Sequence, residues 1–502
     1  MHTKINGYYL DKNQEEIVLD NTKHLLVVAG AGSGKTLTIL GKIGYLLKEK
    51  NINPDEILCI SFTRKASISL EEKIKKEFNI SVPVYTFHKL SLEILKDNNY
   101  KIASSDTLDN IIHLFFYETV LNYKYQIILI LKYFNKSKNT NYYKFLEENE
   151  KEITILEKLL STFIHLFKCN NYDISDFKIF FKKIKYTFSY KKYKKEKIFL
   201  LLALNIYLLY RNYLKENNEI DFDDMIINAT IKVKENGYYK NIKYLIIDEY
   251  QDTSFIRFNL VKEILNSTNS NLMVVGDDFQ SIYRFTGCDI DLFINFKKYF
   301  KDSKIMKIEN TYRNSKELIS VAGSFVMKNK KQIRKNLKSN KTLNKPIKII
   351  YYSDIKKEFK KLIEEIYSKT NKEILILGRN NNDINLILDK DFKLDNDNLI
   401  YLKNSNIKLT YLTTHKAKGL ESNNVIIINL SNNYLGFPSK IKEDDILRLV
   451  TKSKEKYPYS EERRLFYVAL TRTKNYVYLL VPRNNPSIFI KELEKDYYRY
   501  IN

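Results

Sequence analysis

The chain holds only three cysteines, Cys59, Cys169 and Cys288. They stand far apart and none belongs to a CxxC pair. With that spacing neither a zinc site nor a disulfide framework is indicated, and a reducing compartment fits. An apolar leader is missing as well, since residues 1–16 are polar and charged. The longest apolar stretch, 198–210, is interrupted by Asn205 and is too short to span a bilayer, so a buried helix is expected there. A soluble, cytoplasmic protein follows as the expectation. No internal repeat of solenoid length is present. Tryptophan is absent while lysine, asparagine, isoleucine and tyrosine abound, a bias that an A/T-rich coding sequence produces by itself. Glycine is scarce too, at 13 in 502 residues, which makes its placement informative.

What is present is a globular composition, 44% hydrophobic, with length for about three or four domains. The net charge of +24, from 84 Lys+Arg against 60 Asp+Glu, favours a polyanionic partner such as nucleic acid, although coding bias offers a rival explanation. Short β-branched runs alternate with longer helical patterns, as in parallel α/β layers. Core strands are expected at 25–29, 57–62, 244–248, 272–276, 374–377 and 425–430. Between about 96 and 210 the strand signal vanishes, and apolar residues recur at helical spacing among lysines, which predicts a helical insertion. Within it, Lys182 to Lys197 mixes lysines with Tyr186, Phe188, Tyr190 and Tyr193. Such a run can grip a sugar-phosphate backbone, or be a solvated helix face with some buried aromatics.

Three of the scarce glycines crowd into Ala29-Gly30-Ala31-Gly32-Ser33-Gly34-Lys35-Thr36, between an apolar strand and a helical run from Leu37 to Lys48. This is a phosphate cradle. Backbone N–H groups and a helix N-terminus face a polyphosphate, Lys35 reaches the outer phosphates, and Thr36 offers a hydroxyl to Mg²⁺. Ala29 stands where the usual pattern has its first glycine. A second apolar strand ends in Asp248 and Glu249, placed to hold Mg²⁺ and to orient and deprotonate an attacking water, respectively. A third strand delivers Gln280 toward a γ-phosphate, with Tyr283 and Phe285 just beyond. Arg313 and Arg472 lie in the compact runs Thr311-Tyr312-Arg313-Asn314 and Ala469-Leu470-Thr471-Arg472, where each can neutralise a transferring phosphoryl group.

Taken in order, these segments resemble the motif series of superfamily 1 DNA helicases of the UvrD/Rep type. Asp11-Lys12-Asn13-Gln14 is similar to the glutamine motif that reads adenine. Ser61-Phe62-Thr63-Arg64-Lys65-Ala66 and Thr86-Phe87-His88 are similar to DNA-contacting motifs. Asp248-Glu249-Tyr250-Gln251-Asp252, the run from Gly276 to Tyr283, His415-Lys416-Ala417-Lys418-Gly419-Leu420-Glu421 and the run from Glu461 to Arg472 resemble four more. The likeness covers roughly residues 8–482. It implies two RecA-like P-loop NTPase lobes with parallel sheets and a helical insertion in the first lobe. The expected division is 1–95 and 211–288 for the first lobe, 96–210 for the insertion, 289–482 for the second lobe and 483–502 for a helical tail.

By the same resemblance, Gln14 and Tyr312 hold adenine, the loop from Ala29 to Thr36 holds phosphates, and Gly419 and Glu421 contact sugar or phosphates. Phe62, Tyr283 and Phe285 stack on bases, with His415 nearby, and Thr63, Thr86 and His88 join the DNA contacts. Phe285 stands where many relatives have tryptophan, Thr286 where arginine is common, and Ser422 where an aromatic usually follows the glutamate. Arg313 and His415 are about a hundred residues apart, so the accessory domain that many relatives insert there is expected to be absent or vestigial, as in the helicase IV branch. The chain begins almost at the glutamine motif, so that branch's N-terminal domain is expected to be missing. The implied activity is ATP- and Mg²⁺-dependent 3′-to-5′ translocation on single-stranded DNA with unwinding of tailed duplexes, in repair, recombination or replication. Two rivals remain at this stage: a translocase that remodels protein–nucleic acid complexes such as RNA polymerase, and a nucleotide-gated DNA-binding module that does not turn over ATP.

Overall fold

The computed structural model describes residues 4–5, 7–184, 190–370, 372–453 and 455–502. Its first sheet contains β1 (His24–Ala29), β2 (Ile57–Ile60), β3 (Val84–Tyr85), β4 (Tyr244–Ile247), β5 (Asn271–Gly276) and β6 (Ser303–Ile308). The order is β6-β1-β5-β4-β2-β3 and every neighbouring pair is parallel. A parallel sheet must be covered on both faces, which is why β1, β2, β4 and β5 read as near-continuous apolar runs. Strand β2 stops at Ile60, two residues short of the expected end, and releases Phe62 from the sheet.

Helix α1 (Lys12–Leu19) precedes β1, and α2 (Lys35–Lys48), α3 (Arg64–Phe78) and α4 (Phe87–Leu95) follow β1, β2 and β3. Among its described residues the insertion is built from helices α5 (Thr107–Tyr117), α6 (Lys124–Tyr133), α7 (Tyr142–Glu148), α8 (Glu150–Cys169), α9 (Asp176–Lys183) and α10 (Tyr190–Glu216). A two-residue parallel ladder, Lys101–Ile102 against Glu219–Ile220, closes its stem, so the last helix runs past the expected limit of 210. The apolar stretch 198–210 lies in α10 and is largely buried. Of the lysine–aromatic run, Tyr186 and Phe188 lie outside the described residues. Among the described residues no helix is long and apolar enough to cross a membrane.

The chain re-enters the first lobe through α11 (Phe222–Asn236) and α12 (Phe255–Thr268). Leu25, Val27 and Ala29 of β1 pack on α1, α2 and α3, while Leu26 and Val28, on the opposite pleat, pack on α4, α11 and α12.

The second sheet contains β7 (Ile347–Tyr352), β8 (Ile374–Gly378), β9 (Phe392–Asp395), β10 (Asn398–Tyr401), β11 (Lys408–Thr413), β12 (Ser422–Ile427) and β13 (Thr473–Pro482). Its order is β7-β13-β12-β8-β11-β10-β9, parallel from β7 to β11 and antiparallel at the two pairings β11–β10 and β10–β9 of one edge. Helices α13 (Lys316–Met327), α14 (Ile355–Thr370), α15 (Ser460–Leu470) and α16 (Ile488–Tyr497) cover it. Every described strand between Arg313 and His415 joins this sheet. Strand β6 lies in the first sheet, so the crossing between lobes comes after Ile308 rather than at the expected 288/289.

One segment of the second lobe leaves it altogether. Ile446, Leu447, Leu449 and Val450, around the short helical turn Asp445–Leu449, are buried inside the core of the helical insertion. Arg448 seals the joint with a two-pronged ion pair to Glu196 of α10, at 3.0 and 2.7 Å.

Candidate active site and nucleic-acid interface

The first strand hands the chain to a loop whose shape requires glycine at Gly32. Its φ is +67°, and a Cβ there would stand 2.4 Å from Cβ of Arg313, a residue of the interlobe segment. The same close approach ties the lobes through backbone. Tyr312 N–H donates to Gly32 O at 2.9 Å, and Thr311 Oγ1 donates to Ala31 O at 2.7 Å.

A cavity of about 570 Å³ opens where the lobes meet. Gly32, Ser33, Gly34, Lys35 and Thr36 form one wall with Glu249 and Gln280, and Tyr312, Arg313, Gly419, Glu421 and Arg472 form the other. Lys341 and Lys474 also line it, and neither stood out in the sequence. Ala29, Gly30 and Ala31 sit behind the loop. Gln14 does too: it is fully buried, its Nε2 donates to Ser33 O at 3.1 Å and its Oε1 accepts from Asp11 N–H, so in this structure it buttresses the loop. Asp248 lies next to the cavity wall, where one of its oxygens accepts from Glu249 N–H at 2.9 Å.

Charges at the cavity are arranged in opposed pairs. Lys35 Nζ meets Glu249 Oε1 at 2.6 Å, and Gln251 Nε2 donates to the other oxygen at 2.6 Å. Burial works against ionisation of Glu249, but the Lys35 and Lys418 ammonium groups outweigh it and hold the carboxyl below its usual range. Asp248 is pushed upward, by burial and by the neighbouring Glu249 charge. Across the cavity Arg313 Nε donates to Glu421 Oε2 at 2.7 Å, and Lys474 pairs with Glu421 at 2.8 Å. Arg472 is buried, with Nη2 3.3 Å from Gln280 Oε1 and Nη1 3.1 Å from Leu420 O. Burial and the Arg313 charge bring its pKa down to about 9, so it stays cationic at neutral pH.

A row of rings begins just beyond Gln280. Phe62 and Tyr283 lie parallel with centroids 6.3 Å apart, Phe285 follows at 6.1 Å from Tyr283, and His415 closes the row at 5.6 Å from Phe285. Phe285 is 55% exposed, a large apolar face turned to solvent. Burial, with Arg379 and Lys418 nearby, lowers His415 to about 4, so its imidazole is neutral at physiological pH. Beside Phe285 and His415 lies a broad groove of about 1130 Å³ that Arg379, Lys416, Lys440 and Lys442 also line. Thr63 and Thr86 cap α3 and α4, each hydroxyl accepting a backbone N–H at 3.2 Å, and His88 packs edge-on against Phe222. The two caps mark helix N-termini at the same end of the parallel sheet, where backbone N–H groups favour phosphate.

Residues 10–301 match the UvrD/REP helicase N-terminal domain, and residues 390–484 match the UvrD-like helicase C-terminal domain. The chain belongs to the UvrD/Rep family of ATP-dependent DNA helicases. It is 27% identical to DNA helicase IV of Escherichia coli K12, over 97% of this chain and 70% of that protein. With the ATP-dependent DNA helicase Rep of Buchnera aphidicola subsp. Acyrthosiphon pisum it shares 32%, over 82% of this chain and 59% of Rep. With PcrA of Bacillus subtilis the identity is 29%, over 68% and 42%. The two RecA-like lobes expected of a UvrD/Rep protein are the two sheets described above.

Beyond Lys341 and Lys474, two further lysines of this UvrD/Rep chain escaped sequence reasoning. Lys418 lies within a recognised run but carried no assignment. Its ammonium reaches from the second lobe to Asp252 at 2.5 Å and to Gln280 O at 2.7 Å, and sits 4.8 Å above the Tyr283 ring. Lys335 lies in no motif at all. It is buried between Asp277 and Asp278, 2.7 Å from the latter, with its charge 3.6 Å from the Phe279 ring centre. Its neighbours in the chain, among them Arg334, Asn336 and Lys338, are polar, so no local signal marks it.

Removing the exposed ring should weaken binding directly. Phe285→Ala is expected to cost about 1–3 kcal/mol in affinity for oligothymidine, roughly 5- to 150-fold in Kd, by analogy with other base–aromatic stacks. Fluorescence anisotropy measures it. Unchanged affinity would remove Phe285 from the interface.

Proposed function

We propose that this chain moves 3′ to 5′ along single-stranded DNA, one closure of the cleft per ATP, and unwinds duplexes that carry a 3′ tail. The observation that carries the reading is the continuity between cavity and ring row. Gln280 meets Arg472 through its side chain and Lys418 through its carbonyl, and Lys418 lies over Tyr283. Phosphate occupancy is thereby linked to the stacking surface through three residues drawn from both lobes.

Within that scheme Lys35 binds the outer phosphates, Glu249 positions and deprotonates the attacking water, and Gln280 senses the γ-phosphate. Arg313 and Arg472 enter from the second-lobe side to offset developing charge, an effect of about 10³ to 10⁵ in rate where such arginines act. Tyr312 flanks the adenine while Gln14 buttresses the loop from behind, and Gly419 and Glu421 flank the sugar or phosphates. Thr36, on the cavity wall, and Asp248 present oxygen donors of the kind that suit Mg²⁺. When bound, the ion would neutralise phosphate charge. Phe62, Tyr283, Phe285 and His415 hold bases, and the capped ends of α3 and α4, with Thr63, Thr86 and His88, hold the backbone.

Strand displacement tests the reading: ATP-dependent product is expected from a 3′-tailed duplex and little from a 5′-tailed one. Product from the 5′ tail alone would reverse the polarity, and none from either would leave a translocase. A second expectation concerns salt. Lysine–phosphate contacts release counterions, so log Kd for single-stranded DNA should rise linearly with log salt at a slope of about 0.7 per contact. A flat plot would mean that the +24 net charge reflects coding bias.

A further inference from the structure

Away from the cavity and the ring row, three side chains of unlike chemistry converge where the insertion meets the first lobe. His165 and Cys169 stand one turn apart near the C-terminal end of α8, and the i,i+4 spacing puts both on one face. Asp223, in the first turn of α11, faces them. His165 Nδ1 lies 3.1 Å from Asp223 Oδ2, Cys169 Sγ lies 3.4 Å from Asp223 Oδ1, and Sγ lies 3.9 Å from Nδ1 of His165. One donor atom from each falls within 4.8 Å of the others.

Zinc takes imidazole nitrogen and carboxylate oxygen at about 2.0–2.2 Å and thiolate sulfur at about 2.3 Å, which sets donors roughly 3.4–3.6 Å apart around a tetrahedron. Asp223 turns one carboxylate oxygen to His165 and the other to Cys169, so the three separations bracket that span from a carboxylate lying between the other two donors. Nitrogen, sulfur and carboxylate together suit zinc far better than magnesium. Neighbouring cations are already engaged: Lys168 pairs with Asp221 and Asp224, and Arg257 donates to Asp252 O and stacks on Phe62. Cys169 is buried while the His165 side chain is partly exposed, which leaves a way in for an ion.

We propose that His165, Cys169 and Asp223 bind a zinc ion that fastens the helical insertion to the first lobe. The fourth position is open to water or to the Thr286 carbonyl, 3.8 Å from Cys169 Sγ. On binding, Cys169 loses its thiol proton to solvent, as does His165 where it is protonated. The site lies directly under the turn that follows Phe285. Gly287, with φ +80°, packs so tightly on Cys169 that a Cβ would stand 2.4 Å from the cysteine Cβ. Zinc there would therefore also stiffen the turn that presents Phe285. A single cysteine serves here with an imidazole and a carboxylate, so the arrangement needs no CxxC pair.

The full chain, equilibrated with zinc sulfate and gel-filtered against a weak chelator, should retain a single equivalent of zinc by mass spectrometry. Cobalt(II) in its place should give a thiolate charge-transfer band and the intense visible bands of a tetrahedral site. Cys169→Ser and His165→Ala should each lower zinc affinity at least about tenfold, and Cys169→Ser should abolish the charge-transfer band, while Cys59→Ser keeps both affinity and band. Zinc should also raise the melting temperature of the parent and not of Cys169→Ser. No retained zinc and no charge-transfer band in the parent would overturn the proposal, as would equal retention by both variants. If a variant does not fold, the cobalt spectrum of the parent decides alone.

Discussion

Arg472→Ala should bind ATP nearly as well as the parent and turn it over about 10³-fold more slowly or worse. The guanidinium is held by Thr471 Oγ1 beside it and by three acceptors farther along the chain, Val468 O, Leu420 O and Gln280 Oε1, and thus waits in the cleft already oriented and desolvated. Preorganised charge of this kind acts where charge develops during the reaction, with little reorganisation at that moment. Truncation also strips buried carbonyls of a donor, so Arg472→Lys is the necessary companion. It keeps the charge but cannot span the three acceptors, and should recover stability without recovering turnover. Fluorescent-nucleotide binding, melting temperature and steady-state hydrolysis separate these terms. Turnover within tenfold of the parent at unchanged affinity would exclude Arg472 from phosphoryl transfer.

The second large effect is on stability. Lys335→Met should destabilise the fold by about 3–5 kcal/mol, because breaking a buried ion pair strands its partner in low dielectric. Here two adjacent carboxylates, Asp277 and Asp278, would be stranded together. Burial already pushes Asp278 upward against the pull of Lys335, and without the lysine its folded pKa should climb further. A carboxyl whose folded pKa exceeds its unfolded value loses stability as pH rises through the folded pKa. The deficit of the variant in urea should accordingly be greater at pH 8 than at pH 5. Equal midpoints for variant and parent at pH 8 would show that the triad contributes nothing net.

Legibility followed how local each feature is. The phosphate loop, Lys35 and the acids Asp248 and Glu249 are contiguous with their strands, so residue type and order expose them. Strand β6 was not found because Lys304 and Lys307 interrupt its apolar residues, and β11 because Lys408 and Thr410 do the same to its outward face. Gln14 was readable as a motif, but its burial behind Ser33 is a property of packing. Lys335 and Lys418 owe their significance to partners 57 and 166 residues away, and the His165, Cys169 and Asp223 cluster joins residues 54 positions apart. Such pairings are made by topology and leave little local trace.

The docking of residues 446–450 into the insertion has a mechanical consequence. Four buried aliphatic side chains at about 1.5–3 kcal/mol each resist extraction by on the order of 6–12 kcal/mol, comparable to the stability of a whole domain. The joint should therefore survive each cycle, and the second lobe cannot swing as an independent arm. Any change at the cleft is geared to the helical insertion through a fixed pivot, and the stretches flanking the pivot set how far the stroke can travel.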